Sequence, residues 1–368
     1  MPAISGPADG PVAVTGASGY IGSHVVKNLV EAGYAVHACL RDVNRADKTS
    51  YLLAMDEQGP GSVELHSCDL MQASQGSYDK AFSGCSAVFH VAADIGTDPT
   101  YDTPTPQSMY EGLLDATGGV LESCRKAGSV KRVVYTSSTA AVMGPGGPDR
   151  PADYVYTEDD WAGGSYDSLE ERYTATNREG KVFMNWTVER SSYAKGKVDS
   201  EKYGYAFGEK HDIDVVSCCP CHVLGPLLGK PHDTVWQHRI GLMLQGKIDF
   251  PPAGMQWNII DVRDIAETQR LAATSEVAKN GTRYMMVATD ESGEPSMRML
   301  LDMLGELFPD INIAGDYDPP ATDDRLRARC SKAIDELGLK THDVMDTLKA
   351  TGETLMEFGL IEPAWRSK

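Results

Sequence analysis

Basic residues are in short supply: 34 lysines and arginines stand against 53 aspartates and glutamates, a formal net charge of −19. A field of that sign repels phosphate backbones and argues against nucleic acid as a partner, while leaving room for one local cationic patch. No stretch approaches the roughly 20 apolar residues that a membrane helix requires, so no membrane association is expected. Met1 to Gly10 has neither a basic start nor an apolar run, so a secretory leader is not expected and the cytoplasm is the default location. Clustered cysteine is missing as well. Of eight cysteines only Cys218, Cys219 and Cys221 crowd together, inside an apolar run, and no second group stands at ligand spacing. They read as buried small hydrophobes of a reduced protein rather than a zinc site or disulfide framework, and no metal is expected.

What remains is ordinary globular material, with 41% hydrophobic residues over 368 positions, enough for about two units. Residues 12–15 are β-prone, a glycine-rich turn follows, and Ile21, Val25, Leu29 and Val30 recur at helical spacing up to Gly33. A strand at 35–40 completes a βαβ unit. The rhythm continues through strands at 63–68, 87–92, 132–136 and 213–219, with helices at 106–127 and 193–210. Such alternation predicts an α/β fold, a Rossmann-type doubly wound parallel sheet covered on both faces. Regularity fails at 143–192, an irregular insert, and again after 225, where helices are expected at 295–307, 323–337 and 341–358. The expected division is a dinucleotide-binding domain over 1–225 and a smaller, mostly helical substrate lobe over 226–368, with 255–275 returning to the main domain.

Gly16-Ala17-Ser18-Gly19-Tyr20-Ile21-Gly22 places glycines at i, i+3 and i+6 between a strand and a helix. The first two permit a tight turn and close approach to a pyrophosphate, and the third lets helix and strand pack closely. The helix amino end supplies N–H groups and positive dipole for phosphate, so Gly16, Ser18, Gly19, Tyr20, Ile21 and Gly22 are candidate cofactor contacts. At the end of the second strand stand Arg41 and Asp42, with Lys48 beyond. Arginine suits the 2′-phosphate of NADP, whereas an acidic residue at that place binds the 2′-hydroxyl of NAD. Arg41 and Lys48 favour NADP(H); Asp42 facing the ribose would favour NAD(H). Asp69, after the third strand, is placed to meet the adenine amino group, and Val91, Ala92 and Ala93 run under the cofactor. His90, inside the fourth strand, reads as a packed core histidine.

Tyr193 and Lys197 stand at i and i+4, one turn apart on a helix face. A neighbouring ammonium is expected to lower the phenol's pKa, so that Tyr193 protonates a carbonyl oxygen as hydride reaches its carbon, while Lys197 also holds the nicotinamide ribose. Ser138, ending the fifth strand, is placed to hydrogen-bond that oxygen.

These pieces together resemble the extended short-chain dehydrogenase/reductase superfamily, and within it the dihydroflavonol reductase and cinnamoyl-CoA reductase-like branch. The matching segments are 14–22, Arg41-Asp42 with Lys48, Cys68-Asp69-Leu70, 88–92, Thr136-Ser137-Ser138, 193–197, 220–226 and 261–264. The resemblance implies NADPH-dependent reduction of a small carbonyl compound. It assigns the catalytic role to Ser138 over Ser137, places Leu70, Thr136, Ser137, Pro220 and Val223 beside the cofactor, and offers His222 as a substrate or carboxamide contact, while Met143 is separately a candidate to line the substrate pocket. Trp161, Met255 and Trp257 are further candidates for pocket or packing. Ser138 and Tyr193 lie 55 positions apart, more than in related reductases, and the excess falls within 163–190, where it would cover the substrate or build an oligomer contact. Both a monomer and a homodimer are compatible. Ser191-Ser192 replaces the Asn-Trp pair that precedes the tyrosine of plant cinnamoyl-CoA reductases. No asparagine occurs over 101–134 to serve the proton relay of some relatives. Two other readings are a hydroxysteroid-type dehydrogenase or sugar-nucleotide epimerase, and a non-catalytic NADP-binding redox sensor.

Overall fold

The computed structural model describes residues 4–93, 106–144, 154–162, 188–248, 257–319 and 328–366. Its strands are β1 (Val12–Thr15), β2 (Ala35–Leu40), β3 (Ser62–Ser67), β4 (Ala87–His90), β5 (Arg132–Thr136), β6 (Asp214–Pro220), β7 (His222–Leu224), β8 (Ile259–Asp261) and β9 (Arg283–Met286). The longer helices are α1 (Tyr20–Glu31), α2 (Ala46–Ala54), α3 (Pro106–Ala127), α4 (Val188–His211), α5 (Val235–Leu244), α6 (Val262–Thr274), α7 (Met297–Leu307), α8 (Ser331–Leu337) and α9 (Val344–Glu357).

β1, β4 and β5 are buried at every position, the signature of strands covered on both faces, and the sheet they build is parallel throughout. Successive residues point to opposite sides. Val12, Val14, Phe89, Val134 and Val216 enter one core with residues of α1 and α6, whereas Ala13, Val88, Val133 and Val215 enter a second with residues of α3. The seven strands run in the order β3-β2-β1-β4-β5-β6-β9. The strand order reverses between β1 and β4, the place where sheets of this kind open a binding crevice at the strands' carboxyl ends. The doubly wound sheet expected from the sequence is the fold observed.

The return of the chain to this sheet reaches further than 255–275. α6 packs against α1, and β9 extends the edge beside β6. β9 is absent from the sequence-based assignment because it is short and opens on a charged residue, Arg283. A buried arginine anchors the return: Arg132 Nη1 donates to the carbonyls of Ala272 and Ser275 at 2.8 and 2.9 Å, and Nη2 to that of Ala278 at 2.8 Å. It thereby satisfies carbonyls at the carboxyl end of α6 and just beyond, where cationic groups are favoured. The remaining lobe is largely helical, with α5, α7 and α9 and the two-stranded β7–β8 sheet enclosing Leu224, Trp257, Leu300 and Leu348. α8 begins at Ser331 rather than 323; residues 323–327 lie outside the described residues.

Candidate active site

The chain leaves β1 through Gly16, whose φ of +65° favours glycine. A Cβ on Gly16 would stand 3.0 Å from the Ala92 backbone, and one on Gly22 only 2.1 Å from the Gly16 carbonyl oxygen. The two glycines thus permit the packing of turn, helix and β4 exit. No side chain caps the amino end of α1 behind Gly19, so that end fits an anionic group. The Thr15 hydroxyl accepts the N–H groups of Val91 and Ala92 at 3.1 and 3.0 Å and lies 2.9 Å from His90 Nδ1. Thr15 therefore ties the ends of β1 and β4 together at the crevice, and Val91, Ala92 and Ala93 follow half-buried. His90 is buried beneath them, its pKa pushed down to about 3 by burial and by the charge of Lys197. The Ser18 carbonyl accepts the Tyr51 hydroxyl at 2.7 Å, and Tyr20 donates to the Gly225 carbonyl at 3.0 Å. The Tyr20 side chain therefore anchors the 225 turn, and Ile21 packs on the core.

At the other end of the crevice Arg41 follows β2, exposed, its carbonyl accepting the Ser67 hydroxyl at 2.9 Å. Asp42 closes its own turn, with Oδ1 accepting the Asn44 N–H at 2.9 Å. Lys48 lies half-buried in the first turn of α2. Asp69 follows β3 and accepts the Met71 N–H through Oδ1 at 3.0 Å, and Leu70 packs on the neighbouring core.

Tyr193, Lys197 and Glu201 stand at i, i+4 and i+8 along α4, one above another. Lys197 is buried; Nζ donates to the Thr136 carbonyl at 2.9 Å and to the Tyr135 hydroxyl at 3.3 Å, spending two of its three protons. It lies 5.8 Å from the centre of the Tyr193 ring. Burial lowers its pKa to about 8, against the opposing pull of Glu201 and Cys219. Tyr193 departs from the expectation of an acidified phenol. Burial raises its pKa, and the hydrogen bond to Ser138 only partly offsets this. The Ser138 hydroxyl also accepts the Ala140 N–H at 3.1 Å.

Ser137 points elsewhere. Its hydroxyl donates to Glu201 at 2.5 Å and its N–H to the Cys218 carbonyl at 2.8 Å. Thr136 is buried, with Oγ1 accepting from Gln269 at 2.9 Å. Sequence reasoning missed the group that holds Ser137. Glu201, fully buried, accepts from Tyr205 at 2.7 Å and from Arg283 Nε at 2.8 Å. Arg283 Nη1 in turn donates to the carbonyls of Glu158 and Asp160 at 2.9 and 2.7 Å, and its guanidinium stacks 3.8 Å over Trp161. The signals were a third member of the Tyr193/Lys197 helical series and a lone charge in an apolar strand.

Pro220 accepts the Thr139 N–H at 3.0 Å, and Val223 is buried with its carbonyl taking Gln237 at 2.8 Å. His222 Nδ1 accepts the Asn258 N–H at 2.8 Å, and its ring packs 4.0 Å from that of Trp236. Met143 packs with Val142, Cys219 and Cys221 close to the serine turn. Trp257 is buried in the core of the second lobe and does not line the crevice. Met255 and residues 163–187 of the insert lie outside the described residues.

The family model for NAD dependent epimerases/dehydratases matches residues 12–286. A dihydroflavonol 4-reductase of Hordeum vulgare is 35% identical over 363 residues, covering 96% of this chain and 90% of that protein. A cinnamoyl-CoA reductase, CAD2, of Medicago truncatula is 31% identical over 350 residues, covering 94% and 95%. Among solved structures, yeast methylglyoxal/isovaleraldehyde reductase Gre2 complexed with NADPH superposes with a TM-score of 0.74 at 22% identity, covering 95% and 99%, a likeness of fold.

Proposed function

Because this chain belongs to the NAD dependent epimerase/dehydratase family, the extended short-chain dehydrogenases/reductases, and is an NAD(P)-dependent oxidoreductase, we propose that it reduces a small, largely apolar aldehyde or ketone with NADPH. The observation that carries this reading is the stacking of Tyr193 one turn from buried Lys197, with Ser138 hydrogen-bonded to the phenol where β5 ends. The reduced nicotinamide supplies the hydride. Tyr193 gives its phenolic proton to the substrate's carbonyl oxygen, and Ser138 donates a hydrogen bond to that oxygen and orients it. A phenol whose pKa is raised by burial keeps its proton at neutral pH until negative charge grows on the substrate. Lys197 then stabilises the phenolate as it forms, and its third N–H is left for the ribose.

The same logic fixes a pH dependence. Lys197 is an ammonium below about pH 8 and loses its charge above it. kcat/KM for NADPH, which reports groups of the free enzyme, is expected to fall above about pH 8. Glu201→Gln removes a negative charge that holds the Lys197 pKa up, so the fall moves to lower pH. A profile flat between about pH 7 and pH 10 in both proteins would contradict the assignment.

For the cofactor, the Asp42 carboxylate accepts a hydrogen bond in its own turn and the Arg41 guanidinium belongs to an exposed residue just after β2, which supports the 2′-phosphate reading. Arg41→Ala is expected to raise the Kd for NADPH at least about tenfold and that for NADH by less than about threefold, the loss of one charge-assisted contact. Fluorescence titration with both cofactors checks this, and equal effects on the two would count against it. The apolar surroundings of Met143 and Cys221 support a substrate with little charge.

A further inference from the structure

On the outer strands of the sheet, β2 and β3 bring together three donors that the proposed reduction does not use. His37 pairs directly with Glu64, and His66 lies two residues along β3, on the same side of the sheet. One ring nitrogen of His37, one of His66 and a Glu64 oxygen all lie within 4.8 Å of one another.

The protonation pattern is what makes this cluster more than an ion pair. His37 Nδ1 stands 2.6 Å from the Ala81 carbonyl oxygen, which only accepts, so Nδ1 carries the proton. In the neutral ring Nε2 is then a lone pair, turned toward a Glu64 oxygen 3.9 Å away. A backbone carbonyl behind the imidazole is the usual support of a ligating histidine. His66 Nε2 is buried with no hydrogen-bond partner, although a Glu64 oxygen is 3.2 Å away. His37 Nε2, the unpartnered His66 Nε2 and the Glu64 carboxylate therefore stand close together with no hydrogen bond between either ring and the carboxylate.

We propose that His37, Glu64 and His66 bind one divalent transition-metal ion of borderline softness, Zn2+ foremost, with water completing its coordination. Two histidines and a glutamate form a recognised zinc donor set that leaves a fourth position open. Donors around tetrahedral zinc stand about 3.4 Å apart, from bond lengths of about 2.1 Å. The site closes onto the ion by rotation of Glu64, whose side chain is 70% exposed and gives the ion its path of entry. Lys80 is the charge that opposes a cation here. An occupied site would cross-link β2 and β3, the strands that end at Arg41 and Asp69. It is independent of the reductase reading.

The test is calorimetric titration of the EDTA-treated full-length protein with ZnCl2 alone. Wild type is expected to take up one Zn2+ more tightly than any other equivalent, and Glu64→Gln and His66→Gln each to weaken that equivalent at least about tenfold. Zn2+ should raise the melting temperature of wild type and not of the variants, and Mg2+, which disfavours imidazole, should do neither. Exposed Glu64→Gln keeps the test valid if His66→Gln fails to fold, with circular dichroism reporting the fold of each. Identical isotherms for wild type and a folded variant, or no zinc uptake at micromolar concentration, would overturn the proposal.

Discussion

Tyr193→Phe is expected to lower kcat/KM by roughly a hundred- to ten-thousand-fold, the range of a lost general acid, while NADPH affinity changes by less than about threefold. The split follows from where the residue sits. Among the groups assigned to the cofactor are the Gly16 turn, the amino end of α1, Arg41 and Lys197, and removal of the phenolic oxygen touches none of the hydrogen bonds described for these four. The ring remains, so the half-buried packing of α4 is kept. Only the proton donor is lost, along with the partner of Ser138. Stopped-flow oxidation of prebound NADPH separates the two effects, because it reads chemistry after binding is complete. A variant that turns over at the wild-type rate, or one that fails to bind NADPH, would each remove Tyr193 from the role given to it.

Arg283→Met should destabilise the fold by about 3–5 kcal/mol, the cost of leaving a buried charge without its partner. Arg283 and Glu201 have side chains only 4% and 0% exposed. Around them the ion pair joins α4, β9 and the 154–162 segment, and Glu201 also fixes Ser137. Loss of the guanidinium strands Glu201 and frees two backbone carbonyls, and the serine turn beside Ser138 loses the support that runs through Glu201. Urea unfolding measures the difference. Glu201→Gln combined with Arg283→Met should recover part of the loss, since no unpaired charge is then left inside. A cost below about 1 kcal/mol for the single variant would mean that water reaches the pair, contrary to the burial described.

Much of this arrangement was legible in the sequence, for identifiable reasons. Strands that alternate with helices and are buried on both faces leave long apolar runs, so β1, β2, β4, β5 and β6 were readable. The glycine turn was readable because steric demand at Gly16 and Gly22 leaves few alternatives. The helix that carries Tyr193 and Lys197 was readable from their i, i+4 spacing taken together with their order after the glycine turn. β9 was not, because its buried Arg283 looks like a surface residue until Glu201 is placed opposite it. The direction of the Tyr193 pKa was misjudged because sequence shows the neighbouring lysine but not the burial that outweighs it. The hydrogen bond from the Ser137 hydroxyl to Glu201 was not readable, since sequence does not tell which way a strand-end hydroxyl turns. The His37, Glu64 and His66 cluster was invisible for a related reason. Only the register of β2 on β3 brings His37 to Glu64, and register is a property of the folded sheet.

The central claim is net transfer of hydride from NADPH to a carbonyl carbon with a proton from Tyr193. The most direct measurement is reaction of NADPH deuterated on the transferring face with a panel of small aldehydes and ketones, followed by mass spectrometry of the products. The account predicts one deuterium on the carbinol carbon for each NADPH consumed, with Tyr193→Phe nearly silent. Cofactor that is never consumed across the panel, or deuterium exchanged with a substrate while NADPH is regenerated as in an epimerase, would contradict it.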